Sequence, residues 1–157
     1  MKSSLGADFA HIVGRDLDAL AAQLARYPDD ASLWRVAGTV TNAPGNLVLH
    51  VVGNLRHYVG GVLGRSGYVR RRDEEFSRRG LTRDELVGLV RSCGAEVVPV
   101  LAGLSEEVLA GAYPGELPPS IRGATTRRFL LHLSGHLMWH LGQVDYHRRL
   151  VAEAGPS

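Results

Sequence analysis

Apolar residues return along this chain at intervals of three and four, the repeat of an α-helix with one buried face. Phe9, Val13, Leu17, Leu20 and Leu24 mark such a face over about Ala7 to Arg26. Tyr27-Pro28-Asp29-Asp30 closes it, since proline disfavours helix in the residue before it. Trp34, in the loop that follows, is expected to form a lid over the bundle end. A second helix starts at Thr41-Asn42-Ala43-Pro44, with Asn42 or Ala43 near the cap and Pro44 in the first turn, and runs to about Leu63. Val48, Leu49, Val52, Leu55, Val59 and Leu63 share one side of its wheel. The other side carries His50, Asn54, His57, Gly61 and Gly64. Glycine inside a helix costs roughly 1 kcal/mol relative to alanine, so this grouping calls for a reason: a wall left bare for an approaching group, or close helix contact.

Thr82-Arg83-Asp84-Glu85 has the spacing of a capping box, and Leu86, Val90, Cys93, Val97, Val100 and Leu104 give the third helix its buried stripe. Pro99 is expected to kink or locally break it for want of an amide donor. Ser105 to Ser120 reads as a loop with one short helical turn. Thr125 or Thr126 caps a fourth helix that continues to about Ala152. Between the second and third helices, Gly64 to Gly80 interleaves Arg65, Arg70, Arg71, Arg72, Arg78 and Arg79 with Asp73, Glu74 and Glu75. Charge of both signs predicts a solvated connector. Four helices with almost no strand signal predict an all-α four-helix bundle with a long connector between helices two and three. At 157 residues the chain fits a single domain over 1–157.

Composition narrows the partners. The net charge is +2 with neutral histidines, and the pI near 9.0 reflects a slight excess of arginine over acids, which predicts no nucleic-acid partner. Cys93 is the only cysteine, so no intrachain disulfide can form and a reducing cytoplasm is expected; its expected role is a small buried side chain. The N-terminus from Met1 to Asp8 lacks the apolar core of a signal peptide. His50, Asn54, Arg56 and His57 interrupt the apolar run from Asn46 to Leu63, which argues against a membrane span.

The fourth helix carries the candidate chemistry. No Asp, Glu, Lys or Arg lies between Arg128 and Asp145, yet His132, His136 and His140 recur at four-residue spacing. Residues four apart on a helix have Cβ atoms ~5–6 Å apart, so the imidazoles form a row beside a core stripe of Leu130, Leu133, Leu137, Leu141 and Val144. A helix so free of charge all round is expected inside the bundle. Buried imidazoles need partners, and a metal ion suits two of them at this spacing. His132 and His140 lie ~12 Å apart along the axis, whereas metal–nitrogen bonds are ~2.0–2.1 Å. One adjacent pair can therefore chelate, with a third ligand from elsewhere; His50, facing inward on the second helix, is the candidate. Spacing alone leaves both His132 with His136 and His136 with His140 open. His147 and His11 are expected at the surface, with no metal role.

His136-Leu137-Met138-Trp139-His140-Leu141-Gly142-Gln143, preceded by Leu49-His50-Val51-Val52-Gly53-Asn54, resembles the DinB/YfiT-like superfamily, and the similarity extends through Val144-Asp145-Tyr146-His147-Arg148-Arg149-Leu150. The resemblance implies a four-helix bundle, commonly a homodimer, with a divalent metal held by His50, His136 and His140. Family members with assigned chemistry use low-molecular-weight thiols such as bacillithiol or mycothiol. The thiol-dependent isomerase branch has a glutamate where this chain has His136, so the resemblance points to S-transferase-like or unassigned branches. The function expected is thus a metal-dependent S-transferase, with zinc or nickel as the ion and a small electrophile as substrate. A non-catalytic, stress-related dimeric metal-binding bundle and a metal-dependent hydrolase are the alternatives. The ion would acidify a coordinated water or thiol. Asn54, His132 and Gln143 are candidates for substrate contact or for orienting the ligands. His132 is expected foremost as a hydrogen-bonded core residue, and His57 is the candidate general base.

Overall fold

Helix α1, Leu5–Ala25, begins where the Ser4 side chain accepts a hydrogen bond from the Ala7 amide. Its predicted stripe, Phe9, Val13, Leu17, Leu20 and Leu24, is buried. This computed structural model describes residues 4–36 and 38–153; the single unit expected over 1–157 therefore reaches into termini outside the described residues. Gly6 lets α1 start directly against the end of α4, since a Cβ there would stand 2.7 Å from the Leu101 carbonyl oxygen. A 3₁₀ turn at Ala31–Trp34 follows. Trp34 is the lid expected of it: its Nε1–H donates to the Leu81 carbonyl at 2.9 Å, and its ring covers Gly45.

Helix α2 spans Pro44–Leu55 with proline in its first turn. It continues as a π-helical stretch, Arg56–Leu63, where the Gly64 amide reaches back five residues to the Val59 carbonyl at 2.8 Å. Gly61 and Gly64 serve close packing: a Cβ at Gly64 would meet Val100 Cγ2 at 2.7 Å, and one at Gly61 the Tyr68 carbonyl oxygen at 3.4 Å.

The connector departs from expectation in one part. Most of it is solvated as expected, but Arg72–Ser77 form a short helix, α3, that packs on α2. Asn46 holds it there, donating from Nδ2 to the carbonyls of Glu75 at 2.9 Å and Arg78 at 3.0 Å. Glu75 is buried while Glu74 beside it is exposed. Helix α4, Arg83–Ala102, opens with the predicted capping box between Thr82 and Glu85 and buries Leu86, Val90, Cys93 and Val97. It runs unbroken through Pro99. Proline has no amide to offer the Ala95 carbonyl one turn back, yet the helix continues to Ala102, and Leu104 lies beyond it. Ser105 caps the short α5, Glu106–Ala110. A single bridge, Ala112 to Thr125, is the strand-like pairing among the described residues.

Helix α6, Thr126–Glu153, has Thr125 at its start, accepting from the Arg128 amide at 3.3 Å. It packs on α1 and α2, and α1 packs on α4. The four long helices, α1, α2, α4 and α6, make an all-α bundle. Leu130, Leu133, Leu137 and Val144 are buried as predicted. The expectation that α6 is enclosed all round fails, because Leu131, Met138, Trp139, Tyr146 and Leu150 are each more than half exposed. Lack of charge did not imply burial here. Among the described residues, no helix is long and apolar enough to cross a membrane.

Candidate metal centre

α2 and α6 bring three imidazoles to one point. His50 Nε2 lies 3.1 Å from His136 Nε2, and His140 Nε2 lies 3.1 Å from the same atom. The three candidate ligand atoms all lie within 4.8 Å of one another. Of the two pairs that spacing leaves open, His136 with His140 is the one grouped with His50. His132 is left out for a geometric reason. Each four-residue step rotates the row by about 40° around the axis, turning His132 away from His50. It is exposed rather than in the core, with its ring stacked between Phe129, at 6.1 Å, and His136, at 6.5 Å.

Partners on the far ring nitrogens fix the tautomers. The ionised Glu75 carboxylate can only accept, so His50 Nδ1–H donates to Glu75 Oε2 at 2.9 Å, leaving Nε2 with a lone pair. His140 Nδ1–H donates to Gln143 Oε1 at 2.7 Å, with the same result. His136 Nε2 thus faces two lone pairs and carries at most one proton. At least one lone pair has no hydrogen to meet, which disfavours the cluster as a hydrogen-bond network. A cation resolves the conflict. Tetrahedral metal–nitrogen bonds of ~2.0–2.1 Å place ligand nitrogens about 3.3 Å apart, close to the 3.1 Å found. The donor set fits a divalent ion.

Burial, with neighbouring charge, keeps the rings of His136 and His140 neutral. Burial, then the neighbouring His140 and His50, lower the His136 pKa to about 3. Burial also lowers that of His140, against the opposing hydrogen bond to Gln143. Lone pairs are therefore available at neutral pH. Burial pushes the Glu75 carboxyl up, but hydrogen bonds from Arg70 and His50 outweigh it and hold the group below its usual value. Arg70 grips both carboxylate oxygens, Nε to Oε1 at 2.6 Å and an NH2 group to Oε2 at 2.8 Å, the bidentate fork that suits guanidinium.

The other candidates divide. Asn54, one turn after His50, is buried, and its Oδ1 has no hydrogen-bond partner among the described residues. His57 falls on the π-helical stretch, half-buried and edge-on to Tyr58 at 4.7 Å. It is outside the three-histidine group, and burial lowers its pKa, with the Arg70 charge adding to the effect. His147 is not at the surface. It is buried, its Nε2 donating to the Arg35 carbonyl at 3.1 Å and its Nδ1 3.1 Å from the Tyr27 hydroxyl. Its position three residues after Val144 put it on the core stripe, a signal available in the sequence. Cys93 is fully buried as expected, and burial pushes its thiol up to about 12. Glu75 and Arg70 had no such signal, since a run of mixed charge does not tell which members turn inward.

Beside His140, an apolar groove of about 430 Å³ runs between α6 and the start of α2, lined by Pro44, Leu47, Trp139, Gln143, Tyr146 and Leu150 among others. Gln143 joins the groove to the imidazole cluster. An α-helical bundle with three inward histidines on two facing helices defines a class of protein suited to holding one divalent ion. The sequence matches the DinB superfamily over residues 3–144, and the chain belongs to that superfamily. No curated protein matches the sequence.

Proposed function

We propose that this DinB-superfamily protein holds a divalent ion, zinc or nickel, through Nε2 of His50, His136 and His140, and uses it to transfer a low-molecular-weight thiol to a small electrophile. The observation that carries the reading is the meeting of three imidazole nitrogens whose lone pairs cannot satisfy one another. When bound, the ion supplies Lewis acidity that makes a thiol or water at its open position more acidic. The chain supplies the rest. Glu75 and Gln143 hold two rings in the ligating tautomer. The unpartnered Asn54 Oδ1 accepts the donor hydrogen of an incoming ligand. The groove beside Gln143 takes the apolar body of the electrophile, and His57 is assigned proton removal from the thiol.

Leu131 and Met138, exposed on α6 outside that groove, favour a homodimer built on this part of the helix. A single-chain mass in sedimentation would remove that part. The single, buried cysteine accords with a cytoplasmic protein. A non-catalytic metal-binding bundle is the second reading. It is favoured by the tie between Glu75 and Arg70, which removes the one buried carboxylate at the site from acid–base duty.

The test loads the protein with zinc or nickel and follows thiol consumption with a chlorodinitrobenzene-type or epoxide electrophile. Turnover that is lost in His140→Ala is the expected result. Turnover without thiol would indicate a hydrolase, and tight metal binding without turnover would leave the binding bundle. Activity unaffected by His140→Ala would eliminate metal-dependent chemistry.

A further inference from the structure

Asn46, His50 and Gly53 stand at i, i+4 and i+7 of α2, one face of the helix, and all three meet the same residue of the connector. Asn46 Nδ2 donates to the Glu75 carbonyl at 2.9 Å. His50 Nδ1 donates to the Glu75 carboxylate at 2.9 Å. Gly53 makes room for that carboxylate, since a Cβ at this position would overlap Glu75 Oε1. Arg70 closes the arrangement from the connector side, pairing with both carboxylate oxygens; its 3.3 Å approach to His50 Nδ1 is longer than that of Glu75. The side chains of Arg70 and Glu75 are 10% and 7% exposed. A connector merely resting on α2 would bring apolar carbon to this face. Instead an ion pair is buried there, which carries a desolvation cost that good geometry must offset.

We propose that Glu75 is a positioning residue of the metal centre: clamped by Arg70 and admitted by Gly53, its carboxylate fixes the tautomer and ring angle of His50 so that Nε2 points at the site shared with His136 and His140. The assignment rests on the metal reading above. It makes the connector part of the binding apparatus. Carboxylate partners of ligating histidines raise ligand basicity and hold orientation, and their loss costs metal affinity.

The experiment measures zinc affinity of the full chain by chelator competition, alongside the Nδ1–H proton resonance of His50 in the zinc-loaded protein. Glu75→Ala is expected to bind zinc roughly 10–100-fold more weakly and to lose that resonance. Glu75→Gln, which keeps an acceptor oxygen, is expected to restore part of the affinity and the resonance. Gly53→Ala, which displaces the carboxylate without touching any ligand, is expected to weaken binding as Glu75→Ala does. Glu74→Ala, on the exposed side of the same helix, is expected to change neither. Should Glu75→Ala fail to fold, Glu75→Gln and Gly53→Ala decide the matter. Wild-type affinity and an unaltered resonance in the Glu75 and Gly53 variants would overturn this assignment alone. A wild-type chain that binds neither zinc nor nickel would overturn the metal reading, and this assignment with it.

Discussion

Two of the three candidate ligands are held from behind by a hydrogen bond to an oxygen, yet the two arms differ in every other respect. Behind His50 stands Glu75, charged, buried and locked by Arg70. Behind His140 stands Gln143, neutral, exposed and one turn along the same helix. The first arm comes from a distant connector and depends on tertiary structure. The second is local, and α6 supplies it wherever α6 forms. In a low-dielectric setting a charged acceptor is the stronger of the two, and leaving its partner unpaired is correspondingly costly. The contrast teaches that similar ring geometry can be set with unequal stiffness, His50 firmly and His140 loosely.

The largest expected effect comes from removing the ligand that either arm holds. His50→Ala or His140→Ala is expected to abolish tight zinc binding, read by calorimetry, while the helical circular dichroism of the chain persists; retention of tight binding by both variants would remove the site. Next, Arg70→Ala leaves a buried carboxylate without its counter-ion. Breaking a buried pair costs about 3–5 kcal/mol, which lowers the thermal midpoint by on the order of 10 °C for a chain of this size. A shift no larger than that of Arg71→Ala, an exposed pair on the same connector, would show that the His50 arm is not the stiffer one.

Acid should weaken the metal-free fold. The His136 pKa is lowered to about 3 in the folded chain, so below the ordinary value of about 6.5 the unfolded chain binds the proton first. The stabilisation from neutral His136 is complete above that value and declines as pH falls toward about 3. His140 and His147, also lowered by burial, act in the same direction. Thermal midpoints measured from neutrality downward should fall in wild type and fall less steeply in His136→Gln; parallel curves would contradict the shift. The smallest effect concerns the exposed arm. Gln143→Ala is expected to weaken zinc binding by less than the roughly 10-fold lower bound for such partners, because water can replace its oxygen. A larger loss than that of Glu75→Ala would reverse the ranking of the arms.

The legibility of the sequence followed the same division between local and distant determinants. The core stripes of α1, α4 and α6 and the Thr82 capping box are set by residues within one or two turns, and periodicity exposes them; it also exposes the row of His132, His136 and His140, while the choice of the His136 and His140 pair came with the family motif. Convergence of His50 with that pair was legible through the family motif, since nothing in the spacing fixes where two helices meet. What escaped lies in tertiary choices. Arg70 and Glu75 sit among arginines and acids of similar propensity, and only the packing of α3 on α2 tells Glu75 from Glu74. His147 was misplaced because its polarity outweighed its position on the buried stripe, and the outer face of α6 because absence of charge was equated with enclosure. Pro99 does not break α4, which continues three residues past it.

The widened turns of Arg56–Leu63 have a bearing on how this chain tolerates changes of length. A residue removed from that stretch can be absorbed by tightening it to ordinary α-helix, with the ring of His50 undisturbed upstream. A residue inserted between Asn46 and Gly53 has no such outlet: each added position would turn the helix by about 100° and break the three-point seat for Glu75. A one-residue deletion should therefore be admissible on the far side of Leu55, and an insertion excluded on the near side.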